Sequence, residues 1–218
     1  MPSRAIAVVG GTGKLGAAIS RRLAKAGHRV LIGSRSTDSA RAVTEELGFG
    51  IHGMTNAEAA AAAEIVIVTV PFAAQEATLV DIAPHVSGKI VVDTTVPLVP
   101  PKVMRVQLPP EGSAAVRAQR LLGAGAIMVS AFHNVAAHKL ATDGEVGCDV
   151  LVFSDDKPAR SIVVDLVNAT GLRGIHGGAL ANSAAAEAMT SVLIFINKTY
   201  AVDGAGVQIT GKLAEPAS

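Results

Sequence analysis

Most of the residues that metal and covalent chemistry depend on are scarce in this chain. Its 218 residues include one cysteine, Cys148, no tryptophan and one tyrosine, Tyr200. A single cysteine excludes an intrachain disulfide and a cysteine-rich zinc site, and makes a cytoplasmic setting the expectation. Aromatic residues make up 3%, which leaves little with which to stack single-stranded bases. The formal net charge is +1, so no whole-molecule field draws the chain to nucleic acid. The opening "MPSRAIAVVGG" lacks the long apolar stretch and small-residue cleavage site of a signal peptide. The most apolar long segment, 179–197, is interrupted by Asn182, Glu187 and Asn197. It reads as a buried helix rather than a membrane span. Neither a nucleic acid nor a membrane partner is expected.

Half of the sequence is hydrophobic, enough for a large core. Fully apolar runs are spaced along it: "AIAVVG" (5–10), "RVLIGS" (29–34), "EIVIVTVP" (64–71), "KIVVDTT" (89–95), "AIMVSAF" (126–132) and "CDVLVFS" (148–154). Helical patterns fall between and after them, at 13–27, 37–48, 57–64 and 157–169. In 13–27, Leu15, Ile19 and Leu23 form one stripe and Gly27 marks the stop. Uninterrupted Val/Ile strands alternating with helices predict a parallel sheet covered on both faces. The expected fold is α/β, Rossmann-type and doubly wound, with a mainly parallel sheet and a small C-terminal helical extension. The expected division is a dinucleotide-binding domain over 1–178 and an extension over 179–218. One segment, 96–113, breaks the rhythm with Pro97, Pro100, Pro101, Pro109 and Pro110. It predicts a long ordered loop or a lid.

"AVVGGTGKLG" (7–16) contains Gly11-Thr12-Gly13-Lys14-Leu15-Gly16, the G-x-G-x-x-G pattern between a strand and a helix. Gly11 permits the tight turn, Gly13 lets a pyrophosphate approach the backbone, and Gly16 lets the helix pack on the sheet. The amides and dipole of the helix start favour the anion. A carboxylate at the end of the second strand would take the ribose 2′-hydroxyl of NAD. Here stand Gly33, Ser34 and Arg35. A small residue, a hydroxyl and a guanidinium suit a 2′-phosphate, so NADP(H) is the expected cofactor.

A reductase of alcohols or ketones needs a group to move a proton. The Tyr–Lys pair of short-chain reductases, four residues apart, is missing: Gly204 stands four residues after Tyr200. Zinc ligands are missing too, and no metal site is expected. A flavin-like acceptor, which delocalises the charge that arrives with a hydride, would ask less of the protein. Ligands of such folds sit at the carboxyl ends of the strands, here "TVPF" (69–72), "DTTVP" (93–97) and "SAFHN" (130–134). Pro71 and Phe72 can wall a nicotinamide, and His133 can donate to a ring carbonyl or serve structurally. His28, His52, His85 and His176 read as surface or turn residues.

"GGTGKLG", "GSRS", "TVPF", "VVDTTVPLVPP", "SAFHN", "DVLVFSDD", "GLRG" and "GALANSAAAEAMT" together resemble the NADPH-dependent F420 reductases, also called F420:NADP oxidoreductases. The likeness runs over about residues 5–211, and the string at 178–190 is more diagnostic than the glycine turn. The resemblance implies hydride transfer between the nicotinamide and the deazaflavin coenzyme F420, and the missing Tyr–Lys pair and zinc ligands make a metal or a covalent intermediate unexpected. It also implies a homodimer. Carried over by position, Thr12, Gly13, Lys14, Leu15, Ser34 and Arg35 fall on the NADP-binding segments. Val70, Pro71, Ala131 and the stretch Ala205, Gly206, Val207 fall near the nicotinamide or the deazaflavin. Lys14 and Ser36 depart from the family's pattern, which has Asn and a further base there.

Two other readings share these residues. One is an NADPH-dependent reductase of a flavin, an imine or another small acceptor. The other is a nucleotide-binding sensor without turnover. Independently of the resemblance, a helix over 179–200 that is apolar nearly all round needs cover on more than one side, and a second subunit would supply it.

Overall fold

The computed structural model describes residues 4–214. Eight strands form one sheet: β1 (Ala5–Val9), β2 (Arg29–Ser34), β3 (His52–Thr55), β4 (Ile65–Val68), β5 (Ile90–Asp93), β6 (Ile127–Ser130), β7 (Asp149–Phe153) and β8 (Arg173–Gly178). The helices are α1 (Lys14–Lys25), α2 (Thr37–Leu47), α3 (Asn56–Ala62), α4 (Phe72–Ile82), α5 (Ala114–Leu122), α6 (Ala137–Leu140), α7 (Lys157–Ala169) and α8 (Ser183–Tyr200). The strand order is β3-β2-β1-β4-β5-β6-β7-β8, so the chain reverses direction of travel between β1 and β4. That switch point opens a crevice at the carboxyl ends of the strands.

Alternation along β1 shows why both faces are dry. Ile6 and Val8 join one core with Ile19 and Leu23 of α1, and with Val163 and Leu166 of α7. Ala7 and Val9 join the other, with Ala59 of α3, Leu79 and Ile82 of α4 and Ala115 of α5. Successive side chains of a strand point to opposite faces, so a strand buried on both must be apolar throughout.

One pairing is not parallel. β7 runs antiparallel to β6, and Ser130 opposes Phe153, the last residue of each strand. The body of β7, with β8 parallel to it, therefore extends past the carboxyl end of β6. It forms a wall beyond the edge where ligands bind. Uniform Val/Leu content made β7 look like its neighbours, because strand composition does not encode direction.

Other differences have local causes. The strand expected over 64–71 stops at Val68, and Pro71 caps α4 instead. β3 and β8 are polar or glycine-rich, "HGMT" and "RGIHGG", and carry no strand signal. His176 lies in β8 and accepts from Arg160 Nε at 3.2 Å, and His28 is buried. Neither is the surface or turn residue expected. Segment 96–113 holds neither helix nor strand, as its prolines require. The segment 179–197, expected to be a buried helix, begins with a short 3₁₀ turn at Leu180–Asn182 and continues as α8. Only one side of α8 is covered: Met189 is 40%, Val192 42% and Phe195 52% exposed.

Candidate functional site

The glycine turn joins β1 to α1 at the switch point. Gly10 has φ +70°, and a Cβ there would stand 2.4 Å from Val70 Cγ1. This glycine precedes the G-x-G-x-x-G pattern, and the sequence reading passed over it. Gly11 donates to Gly33 O at 3.0 Å, and a Cβ on it would meet Val8 O at 2.6 Å. On Gly16 a Cβ would meet Thr69 Oγ1 at 2.5 Å and Gly11 Cα at 2.7 Å. That contact is the close helix–strand packing the third glycine permits. A Cβ on Gly13 would touch only Gly10 O at 3.6 Å and Thr69 O at 4.0 Å, so the backbone stays approachable. α1 begins at Gly13 with no side chain capping it and no acid in its first turn. Unshielded amides and the positive end of the helix dipole meet there, which is what a pyrophosphate requires.

A cleft of about 190 Å³ lies against this turn, lined by Gly10, Thr12, Gly13, Ser34, Arg35, Asn56, Thr69, Val70, Pro71, Ala74 and Thr78. A groove of about 510 Å³ continues from it past Ser34, Arg35, Thr55 and Asn56 to Thr78 and Asp81. The structure thus brings together six of the expected residues: Thr12, Gly13, Ser34, Arg35, Val70 and Pro71. Ser34 is buried and its Oγ accepts Ser36 N at 3.3 Å, which leaves its own proton to donate. Arg35 is exposed and makes no ion pair among the described residues. Its guanidinium is available to an incoming anion. Ser36 accepts Ser39 N at 3.3 Å and caps α2, so the residue that departs from the family pattern has a helix-capping role.

Gly33 does something other than make room for a phosphate. A Cβ there would meet Asn56 Oδ1 at 2.9 Å and Ala59 Cβ at 3.3 Å, so it lets α3 close on β2. Asn56, which the sequence reading missed, holds Gly10 N through Oδ1 at 3.2 Å and so fixes the turn from the far side of the cleft. Thr55 and Glu58 form a reciprocal capping box at the start of α3. That motif was the available signal that a helix, and with it Asn56, begins at the site.

The remaining residues stand outside these walls. Lys14 borders a separate groove with Ala17, Arg21 and Ala137. Leu15 packs against the core, and Ala131 is fully buried in it. Phe72 lies under the Arg117 guanidinium, 5.2 Å from the ring centre. His133 is buried, and its Nε2 is 2.8 Å from Ser130 Oγ. Burial pushes its imidazole down to about 4, so the ring is neutral at pH 7. Phe132 beside it has φ +65°, a left-handed conformation costly for a side chain of its size. Ala205 donates to Asn197 Oδ1 at 2.7 Å, Gly206 packs on Cys148, and Val207 O accepts Asp149 N at 2.7 Å. This C-terminal stretch therefore lies along the start of β7. Asp149 secures it, pairing with Arg173 at 2.6 Å and accepting Ile209 N at 2.6 Å.

No group of three or more metal-ligating side chains occurs among the described residues. The cradle fits a dinucleotide phosphate on three observations. A Cβ on Gly10 would clash with Val70, the start of α1 lacks a side-chain cap, and a cation that makes no ion pair among the described residues stands at the end of β2.

The sequence profile of the family described as "NADP oxidoreductase coenzyme F420-dependent" matches residues 5–97. The chain is 38% identical to the F420-dependent NADP reductase of Methanothermobacter marburgensis over 94% of its own length and 97% of that protein. It is 36% identical to the F420-dependent NADP reductase of Methanocaldococcus jannaschii, over 94% and 97% of the two chains. The crystal structure of a candidate F420-dependent NADP reductase from Arthrobacter sp. FB24 superimposes with a TM-score of 0.83 at 27% identity, covering 96% of this chain and all of that one. With the glycine cradle, the serine–arginine pair and this likeness along nearly its whole length, the chain belongs to the F420-dependent NADP oxidoreductase family.

Proposed function

We infer that this protein is an NADPH:F420 oxidoreductase, which transfers a hydride between NADP(H) and the deazaflavin coenzyme F420. The observation that carries this is the 36–38% identity to F420-dependent NADP reductases over 94% of the chain. The cradle ending in Ser34 and Arg35 agrees with it. The nicotinamide and the deazaflavin supply the redox chemistry. The protein binds, orients and excludes water. Gly11, Thr12, Gly13, Lys14 and Leu15 hold the pyrophosphate at the start of α1, and Ser34 and Arg35 hold the 2′-phosphate. Val70 and Pro71 border the nicotinamide, and Ala131, buried just after β6, supports the crevice from within the core. Phe72, His133 and the Ala205–Val207 stretch belong to the acceptor side. Buried and neutral, His133 contributes by shaping the turn after β6 rather than by moving a proton.

Residues 1–178 serve as the NADP-binding domain, and 179–218 as an extension that carries the acceptor side and a dimer contact. The stripe of Met189, Val192 and Phe195 is the surface a second copy covers. A bilayer is a poorer partner for α8. Its other side commits Ser183, Glu187 and Ser191 to hydrogen bonds within the molecule, which binds it to the domain. The protein acts on small molecules in the cytoplasm.

The test mixes purified protein, NADPH and oxidised F420 and follows loss of the deazaflavin absorbance. Turnover with F420 and none with FMN or a cyclic imine is expected. Rapid reduction of FMN or the imine without F420 turnover would replace this acceptor assignment.

A further inference from the structure

Two buried carboxylates outside the dinucleotide cleft hold the two ends of the proline-rich loop. Asp93, the last residue of β5, is fully buried. Its Oδ1 accepts the Thr95 hydroxyl at 2.6 Å and Thr95 N at 3.2 Å, which fixes the chain as it enters the loop. Glu187 of α8 is 1% exposed. It accepts Ala114 N at 2.6 Å and Ala115 N at 3.2 Å, where the loop ends and α5 starts. Ser183 donates to the same carboxylate at 3.2 Å and lies 2.9 Å from Ser113 Oγ. Gln75 joins the two ends, donating to Asp93 Oδ2 at 2.8 Å and to Ala114 O at 3.0 Å. Its own Oε1 is buried without a hydrogen-bond partner among the described residues.

Between these anchors the loop is folded on itself. Gln107 Nε2 donates to Val99 O and Lys102 O, both at 3.2 Å, and Gly112 N to Pro109 O at 2.9 Å. In its middle it is tied to α8 by Ser191 Oγ, which donates to Arg105 O at 3.3 Å. Val99, Met104, Val106 and Leu108 are all more than a third exposed. The loop leaves the carboxyl end of β5, the strand paired with β4, whose end leads into Val70 and Pro71 of the cleft. Polar groups buried this deeply cost free energy unless they are hydrogen-bonded, and here the bonds go to the two feet of the loop.

We propose that Glu187 and Asp93 are positioning residues, which set loop 96–113 as a lid over the acceptor side of the crevice. This role rests on the hydride-transfer reading of the site, although the loop's anchoring can be measured without it. The two feet are clamped from opposite sides, by β5 and by α8. Losing either clamp frees the loop as a unit and leaves the glycine cradle, held by Asn56 and Thr69, as it was.

The experiment compares the intact protein with Glu187→Gln and Thr95→Val. Limited trypsinolysis reads loop opening at Lys102 and Arg105, both exposed and both followed by valine, with fragments assigned by mass. Loss of one anchoring hydrogen bond should raise cleavage at these two sites by about fivefold. The KM for F420 should rise by about the same factor, with kcat largely kept and the NADPH dissociation constant unchanged. Unchanged cleavage at Lys102 and Arg105 in variants that melt like the parent would overturn the proposal. So would a parallel loss of NADPH affinity. Should Glu187→Gln fail to fold, Thr95→Val, which exchanges one hydroxyl for a methyl at the other foot, decides the matter alone. If the parent does not reduce F420, the functional reading falls and the cleavage comparison still judges the lid.

Discussion

Replacing Arg35 with alanine tests the proposed basis for the choice of cofactor. The side chain is exposed, it makes no ion pair among the described residues, and it stands beside Ser34 at the mouth of the cleft. Its removal therefore leaves no buried carboxylate without a partner and opens no cavity. The loss is confined to the ligand. A charge-assisted contact to a phosphate contributes about 1.5–3 kcal/mol. Solvent at an exposed position screens the interaction, so the low end, about 1.5–2 kcal/mol, applies here. That corresponds to roughly a 10- to 30-fold weaker NADPH complex. NADH lacks the phosphate and should bind the variant as it binds the parent. Calorimetric titration of both nucleotides into both proteins, at low and at physiological salt, gives the four constants and their salt dependence. The NADPH penalty should shrink with added salt. The reasoning fails if the parent binds NADH and NADPH equally, or if Arg35→Ala weakens both to the same degree.

Gly10→Ala places a methyl 2.4 Å from Val70 Cγ1 on a residue with φ +70° and should cost at least about 2 kcal/mol of stability, with NADPH binding lost. Gly88→Ala, at φ +72° with nothing within 4 Å, should pay only the backbone cost of about 1 kcal/mol and bind normally; equal NADPH affinity in the two variants would refute the cradle's role. Burial pushes Glu187 up to about 7 from 4.5 and Asp93 up to about 6 from 3.8. The native state therefore keeps protons that the unfolded chain has already released, and this contribution to stability declines as pH rises from about 3.8 to 6 for Asp93 and from about 4.5 to 7 for Glu187. Melting temperatures over that range should fall less steeply for Glu187→Gln than for the parent, and parallel curves would contradict the assignment. Phe195→Glu puts a charge in the middle of the exposed α8 stripe and should convert a dimer to a monomer in light scattering at micromolar concentration; a parent that is already monomeric would sink the dimer contact.

Much of this was legible in one dimension because the signals are local. A strand buried on both faces must be apolar at every position, so six of the eight strands showed in composition alone. The glycine turn showed because its strand–turn–helix setting lies within a dozen residues, and Ser34 and Arg35 showed because a missing carboxylate is as visible as a present one. β3 and β8 lacked the signal, since edge strands need not be apolar. Gly10 was passed over because its demand comes from Val70, which follows another strand 60 residues on.

The sequence by itself determined the doubly wound class, the glycine turn at the switch point and NADP as the cofactor, because each depends on residue types at short, fixed spacings. The tertiary structure decided the antiparallel placement of β7, since strand direction is set by which neighbour accepts the backbone hydrogen bonds and not by the side chains of the strand. It also decided the burial of His133 against Ser130, and which side of α8 is covered. Above all it decided the carboxylate clamp. Glu187 and Ala114 are 73 residues apart in the chain, and they meet only because α8 crosses back over the start of α5. There the exclusion of water turns two ordinary acids into the anchors of a loop.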